Sequence, residues 1–195
     1  MTGRAVKENR MGWLALLLVT GGGLWLVSTY NTLVSLRQRG RQAFADIDVQ
    51  LKQRHDLIPN LVETVKGYAA HEKSTLDEVV RARNAALAAQ GPDAQGAAEG
   101  ALGAALSRLI ALAEAYPDLK ANQNFQQLQG ELSDVENKIA AARRFLNNAV
   151  AEYNAAIEGV PGVLIAGRLG FAPLAYFGVD DADRKAIEAP PAVNF

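Results

Sequence analysis

The sequence predicts an all-α protein: an N-terminal transmembrane helix followed by an elongated antiparallel four-helix bundle. Three observations carry that expectation. Residues 11–36 contain no side chain charged at pH 7. Apolar residues in the remainder recur by threes and fours, the spacing of one helical face. Glycine and proline interrupt the pattern at a few places only, which divides the chain into long helical stretches.

A chain of 195 residues has room for one ordinary domain and an anchor. Hydrophobic residues are 49% and charged residues 21% of the total, so disorder throughout is excluded. Twenty basic and 21 acidic residues leave a formal charge of −1, which provides no global field for nucleic acid. With no cysteine there are no thiolate metal sites, thiol nucleophiles or disulfides, and the redox compartment stays open. The only imidazoles are His55 and His71, which limits acid–base catalysis and zinc binding; no cofactor is expected.

The anchor is expected over residues 11–30, after a basic flank (1–10) that carries Arg4, Lys7 and Arg10. About 20 apolar residues cross about 30 Å of hydrocarbon, and Trp13, Trp25 and Tyr30 are of the kind that settles at interfaces. The basic opening also fits a cleaved secretory signal, but the apolar run is long and no small-x-small site follows it. Gly21, Gly22 and Gly23 either allow close approach of a second membrane helix or are simply tolerated in lipid. Three basic residues precede the span and Arg37, Arg39 and Arg41 follow it, a tie that leaves the side of the membrane undetermined.

The bundle domain is expected over residues 31–178. Leu33, Leu36, Ala43, Phe44, Ile47, Leu51, Ile58, Leu61, Val65 and Ala69 form one helical face, and Pro59 predicts a kink or break near Ile58. Thr75 and Glu78 have capping-box spacing, so a second helix is expected to start at Ser74–Thr75 and run to about Ala89. GPDAQGAAEG, residues 91–100, reads as a loop; a third helix follows it through Leu102, Leu106, Leu109 and Ile110, closed by Pro117.

The clearest period is Phe125, Leu128, Leu132, Val135, Ile139, Ala142, Leu146, Ala149, Tyr153 and Ala156, a heptad seam. A helix over residues 119–158 would be about 60 Å long and needs a partner of similar length, for which the helix containing Phe44 to Ala69 is suited. Beside the seam Glu136, Arg143, Asn147 and Asn154 form a polar row that can set register, with Asp46, Asp48 or Arg54 expected opposite. The run VPGVLIAGRLGFAPLAYF after Gly159 either caps the bundle or exposes apolar surface, including Phe171 and Phe177, to a partner. Residues 179–195 read as a flexible tail.

Several of these stretches resemble the LemA family. They are YNTLVSLRQR from Tyr30, ADIDVQLKQRHDLIPNLVETVKGYAAHE from Ala45, LAEAYPDLKANQNFQQLQGELSDVENKIAAARRFLNNAVAEYN from Leu112, and VPGVLIAGRLGF. The resemblance omits only the extreme N-terminus, the glycine-rich stretch and the tail. It implies a bacterial membrane-tethered antiparallel bundle of four helices without established catalysis or cofactor. Family genes often neighbour those for a membrane metallopeptidase or a TPM-domain protein, which implies a role in membrane-associated assembly or quality control. Leu146 stands where relatives often have an aromatic residue, and Asn148 where an acidic one is frequent.

The densest polar group is Arg54, His55, Asp56 and Asn60 around Pro59. Neighbouring residues on a helix point about 100° apart, so His55 and Asp56 do not face one substrate without a break in the helix. Glu63 with His55 and Asp56 supplies the alternative reading, a metal-dependent hydrolase in the bundle, but Glu-x-x-His spacing is absent. His71, Glu72 and Lys73 suit a helix C-terminus. Function is therefore expected to be that of a non-enzymatic membrane scaffold or adaptor. The site residues proposed for contacts are Arg54, His55, Asp56, Asn60, Glu136, Arg143, Asn147, Asn154, Phe171 and Phe177. The expected partners are the cell membrane, crossed once, and further copies of the chain or another membrane protein such as a metallopeptidase.

Overall fold

The computed structural model describes residues 2–178, with side chains described for Trp13 and from Leu16 onward. Among these the secondary structure is helical, without strand. Five helices follow in order: α1 Thr2–Lys66, α2 Lys73–Ala88, α3 Pro92–Ala113, α4 Pro117–Lys120 and α5 Gln123–Glu158. Two 3₁₀ turns, Gly162–Leu164 and Gly167–Leu169, come after α5. The expected tail at 179–195 lies outside the described residues.

Contacts divide the chain into two compact units. The first comprises Met1–Arg41 and Ala149–Leu174, the second Gln42–Asn148 and Ala175–Phe195. In the first unit a small core joins Leu33 of α1 to Tyr153 and Ile157 of α5 and to Ala166 and Phe171 beyond it. Nearer the N-terminus α1 presents apolar side chains outward: Leu17 is 65% and Leu18 77% exposed. An apolar helix left open in this way has the surface that suits hydrocarbon.

In the second unit all four long helices share one core. Ile58, Leu61 and Val65 come from α1, Leu76, Val79 and Ala86 from α2, Leu102, Leu106 and Leu109 from α3, and Phe125 and Leu132 from α5, with Leu119 of α4 among them. Cross-contacts give the directions. Glu72 and Glu78 meet Tyr116 and Arg108, so α2 and α3 run oppositely. Arg54 and Tyr68 meet Glu136 and Asn122, so α1 and α5 also run oppositely. Asp48 and Arg54 meet Gln95 and Glu99, so α1 and α3 run the same way. The pattern agrees with an up-and-down bundle of four. α3 is also long and apolar enough to cross a membrane, but its apolar face is taken up by this core.

Four local expectations are corrected. First, Pro59 does not break α1, which continues to Lys66. A proline has no N–H to give the carbonyl four residues earlier, here that of His55. Arg83 of α2 supplies the missing donor: its Nε donates to the His55 carbonyl at 2.8 Å. Second, residues 91–100 are not a loop; α3 begins at Pro92, whose fixed φ suits a first helical position, and Gly91 at φ 85° makes the turn before it. α3 then ends at Ala113, and Pro117 opens α4. Third, Thr75 and Glu78 form no capping box: α2 starts earlier, at Lys73, without a side-chain cap, and Glu78 pairs with Arg108. Fourth, α5 starts at Gln123, four residues later than expected, where Asn122 Oδ1 accepts from the Phe125 amide at 3.0 Å.

Candidate interaction site

The continuity of α1 through Pro59 carries Arg54 and His55 inward, to 3% and 5% exposure. Such a buried guanidinium costs several kcal/mol unless its charge is met. Two carboxylates meet it. Arg54 Nη1 donates to Glu99 Oε2 at 3.0 Å, and Nη2 forms an ion pair with Glu136 Oε1 at 2.7 Å. The second oxygen of Glu99 lies 2.6 Å from His55 Nε2. Three helices are thereby locked at one level: α1 by Arg54 and His55, α3 by Glu99, α5 by Glu136.

Glycine makes room for this cluster. A Cβ at Gly103 would sit 3.1 Å from Arg54 Nη2, and one at Gly96 would collide with the backbone of Gly178 at 2.4 Å. The glycine-rich start of α3 is thus a helix thinned to admit a guanidinium on one side and a chain segment on the other. A cavity of about 190 Å³ remains, lined by Arg54, Glu99, Glu136, Arg143, Ile139 and Phe177 among others. Among the described residues Arg54 Nε has no hydrogen-bond partner.

The other polar residues near Pro59 go elsewhere. Asp56 is exposed and accepts from Lys52 Nζ at 2.9 Å; Glu63 is exposed and pairs with Lys66. His55, Asp56 and Glu63 therefore do not converge, and among the described residues no group of three or more acidic or imidazole side chains is placed to hold a metal ion. Asn60 lines a separate open groove of about 540 Å³ with Glu63, Asn124, Gln127 and Glu131. His71 is exposed in the turn between α1 and α2.

The asparagines of the polar row bind backbone. In the second unit Asn147 Oδ1 accepts from the Phe177 amide at 2.9 Å while its Nδ2 donates to the Phe177 carbonyl at 3.3 Å. In the first unit Asn154 does the same to Leu174, at 2.9 and 3.0 Å. Both aromatic candidates are internal: Phe177 packs edge-on to Phe44, and Phe171 meets Tyr30 and lies under the Arg37 guanidinium at 4.8 Å. Tyr153 is fully buried and its hydroxyl donates to the Ala172 carbonyl at 3.0 Å. Burial pushes this phenol above its ordinary pKa, against a lowering pull from Arg37 and Arg41.

Residues 43–195 match the LemA family. The chain belongs to the LemA family. Among its curated relatives is the magnetosome protein MamQ of Magnetospirillum gryphiswaldense, 27% identical over 191 residues, covering 85% of this chain and 70% of that one. Two MamQ proteins of Paramagnetospirillum magneticum are each 26% identical over the same shares. Together with the exposed apolar start of α1, membership of this family suggests a membrane-associated helical protein.

Sequence reasoning missed Glu99 and Arg83. Glu99 stood in a stretch read as loop, although Pro92 at the first helical position followed by Asp93 in the first turn is a start signal. Nothing local marks Arg83; only its position beside a proline-freed carbonyl on another helix does so.

Proposed function

We propose that this LemA-family protein is a single-pass membrane-anchored scaffold that acts by protein contact, self-assembly included, and not by catalysis. One observation carries the reading: a single helix, α1, holds both the outward apolar surface from Leu16 to Val27 and core positions from Leu33 to Val65. An anchor and a packing element joined without a linker keep the folded part at the bilayer. Confinement there raises the effective concentration of any partner, so weak lateral contacts produce stable assemblies. The ion cluster fits this role as a register device, since Arg54, Glu99 and Glu136 meet in one helical alignment only. The relatives are named as magnetosome proteins; for this chain the corresponding partner is a further copy or another membrane protein.

The test is fractionation followed by crosslinking of the full-length protein in native membranes. The protein is expected to stay with membranes in alkaline carbonate and to give crosslinked multimers or one reproducible partner. Release by carbonate would end the anchor reading. A strictly monomeric protein without specific crosslinks would end the scaffold reading.

A further inference from the structure

The loop after α5 is folded, apolar on its outside and set beside the end of the expected span. Its backbone is largely satisfied from within: the amides of Val163, Leu164, Ile165, Ala166, Leu169 and Phe171 all donate to carbonyls of residues 159–166. Ala166 and Phe171 turn inward onto Leu33 and Tyr153. Val160, Val163, Leu164 and Leu169 turn outward, 80%, 51%, 59% and 47% exposed. A soluble protein seldom leaves four large aliphatic side chains open on one short loop.

The level of the loop follows from the first unit alone. Arg39 of α1 pairs with Glu152 of α5 at 2.8 Å, and the two helices share the core of Leu33, Tyr153 and Ile157. From Glu152 to the end of α5 at Glu158 the chain rises about 9 Å, which brings it level with about Leu33. The loop begins there, and Phe171, at its end, touches Tyr30 with ring centroids 5.7 Å apart. Tyr30 closes the apolar stretch of α1, whose residues Leu24, Trp25, Leu26 and Val27 are exposed just before it. The loop therefore lies beside the end of the exposed aliphatic stretch of α1. Arg168 stands exposed within the loop, a cation of the kind that meets phosphate headgroups.

We propose that residues 159–170 form a second membrane contact, with Val160, Val163, Leu164 and Leu169 seated in the interfacial zone of the phospholipid bilayer that takes α1. The inference rests on the anchor reading and goes beyond it: a single span fixes only attachment, whereas two contacts on one unit fix its tilt. A loop that pairs the amides of Val163, Leu164, Ile165, Ala166 and Leu169 internally lowers the cost of entering that zone, where unpaired backbone is penalised.

The chain has no cysteine, so single-cysteine labelling needs no background removal. Full-length Leu17→Cys, Val163→Cys and Leu164→Cys proteins, each carrying an environment-sensitive fluorophore, are reconstituted into phosphatidylcholine–phosphatidylglycerol vesicles with or without brominated acyl chains. The inference expects strong quenching at position 17 and about a twofold loss of emission at 163 and 164, as for groups shallowly buried at the acyl boundary. Quenching at 17 without quenching at 163 and 164 overturns the inference and leaves the anchor standing. No quenching anywhere overturns both. A companion protein, labelled at Leu164→Cys and carrying Val160→Asp and Leu169→Asp, is expected to lose the quenching at 164; if it persists, the fluorophore and not the loop is what enters lipid, and the inference fails.

Discussion

The two halves of α1 have opposite surroundings. From Leu16 to Val27 its large apolar side chains are turned outward, whereas further along Ala43, Ile47, Leu51, Ile58, Leu61 and Val65 are at most 1% exposed and two ionisable residues, Arg54 and His55, are buried beside them. On the anchor reading the same secondary structure serves two solvents, and what separates them is the neighbours: lipid tolerates an apolar surface all round, while a protein core takes one stripe and demands that any buried charge be answered.

Substitutions sort the halves, and the largest effect is expected at the ion cluster. Glu99→Ala leaves the Arg54 guanidinium facing only the half-exposed Glu136, which is expected to cost about 3–5 kcal/mol of stability in denaturant unfolding. Combining Glu99→Leu with Arg54→Met removes the stranded charge and is expected to recover most of that loss; if the double variant stayed as unstable as Glu99→Ala, the cluster would matter through something other than charge burial. In the outer half Leu18→Arg, at a side chain 77% exposed, is expected to leave the unfolding midpoint unchanged in detergent. The same change is expected to cost about 2.5–3.5 kcal/mol of membrane insertion near the middle of the span. Quantifying carbonate-resistant protein checks this, and full retention would show that the outer half does not use lipid as its solvent.

Smaller effects sharpen the boundary. Arg83→Met removes the donor that the His55 carbonyl receives in place of a Pro59 amide, with an expected cost of about 1–3 kcal/mol. Pro59→Ala in the same background restores the amide and is expected to return part of it, measured as a double-variant cycle. Smallest is the pH effect at Tyr153. Its phenol titrates higher in the folded chain than in the unfolded one, so the unfolded chain loses this proton first once the pH passes about 10. The stability it contributes is complete below that pH and is lost as pH rises through the folded value. Urea midpoints are expected to fall between pH 9 and pH 11, and less so in Tyr153→Phe.

Legibility followed the range of the interactions. The seam of α5 was readable because helical period alone places Phe125, Leu132, Val135, Ile139, Leu146, Ala149 and Tyr153 on one face, and all seven are buried. The row beside it was readable as a row, and Arg54 as a residue that meets it at Glu136, while the partners of its asparagines were not. Asn147 and Asn154 reach the backbone of a segment some 20 to 30 residues away, and no side-chain pattern announces a backbone partner. Pro59 misled because its usual consequence is local and its remedy, Arg83, is not. Residues 91–100 misled because glycine lowers helix propensity, yet at Gly96 and Gly103 the absent Cβ is what allows two neighbours to approach α3.

By itself the sequence determined the all-helical class, the apolar start and the faces that α1, α3 and α5 turn inward, since period and hydropathy are properties of one segment. Tertiary structure alone decided which charges are buried together, which amides hold the C-terminal segment and which aliphatic side chains of residues 159–170 stay outside. Those outcomes depend on distances between segments far apart in the chain, and such distances exist only once the helices have packed.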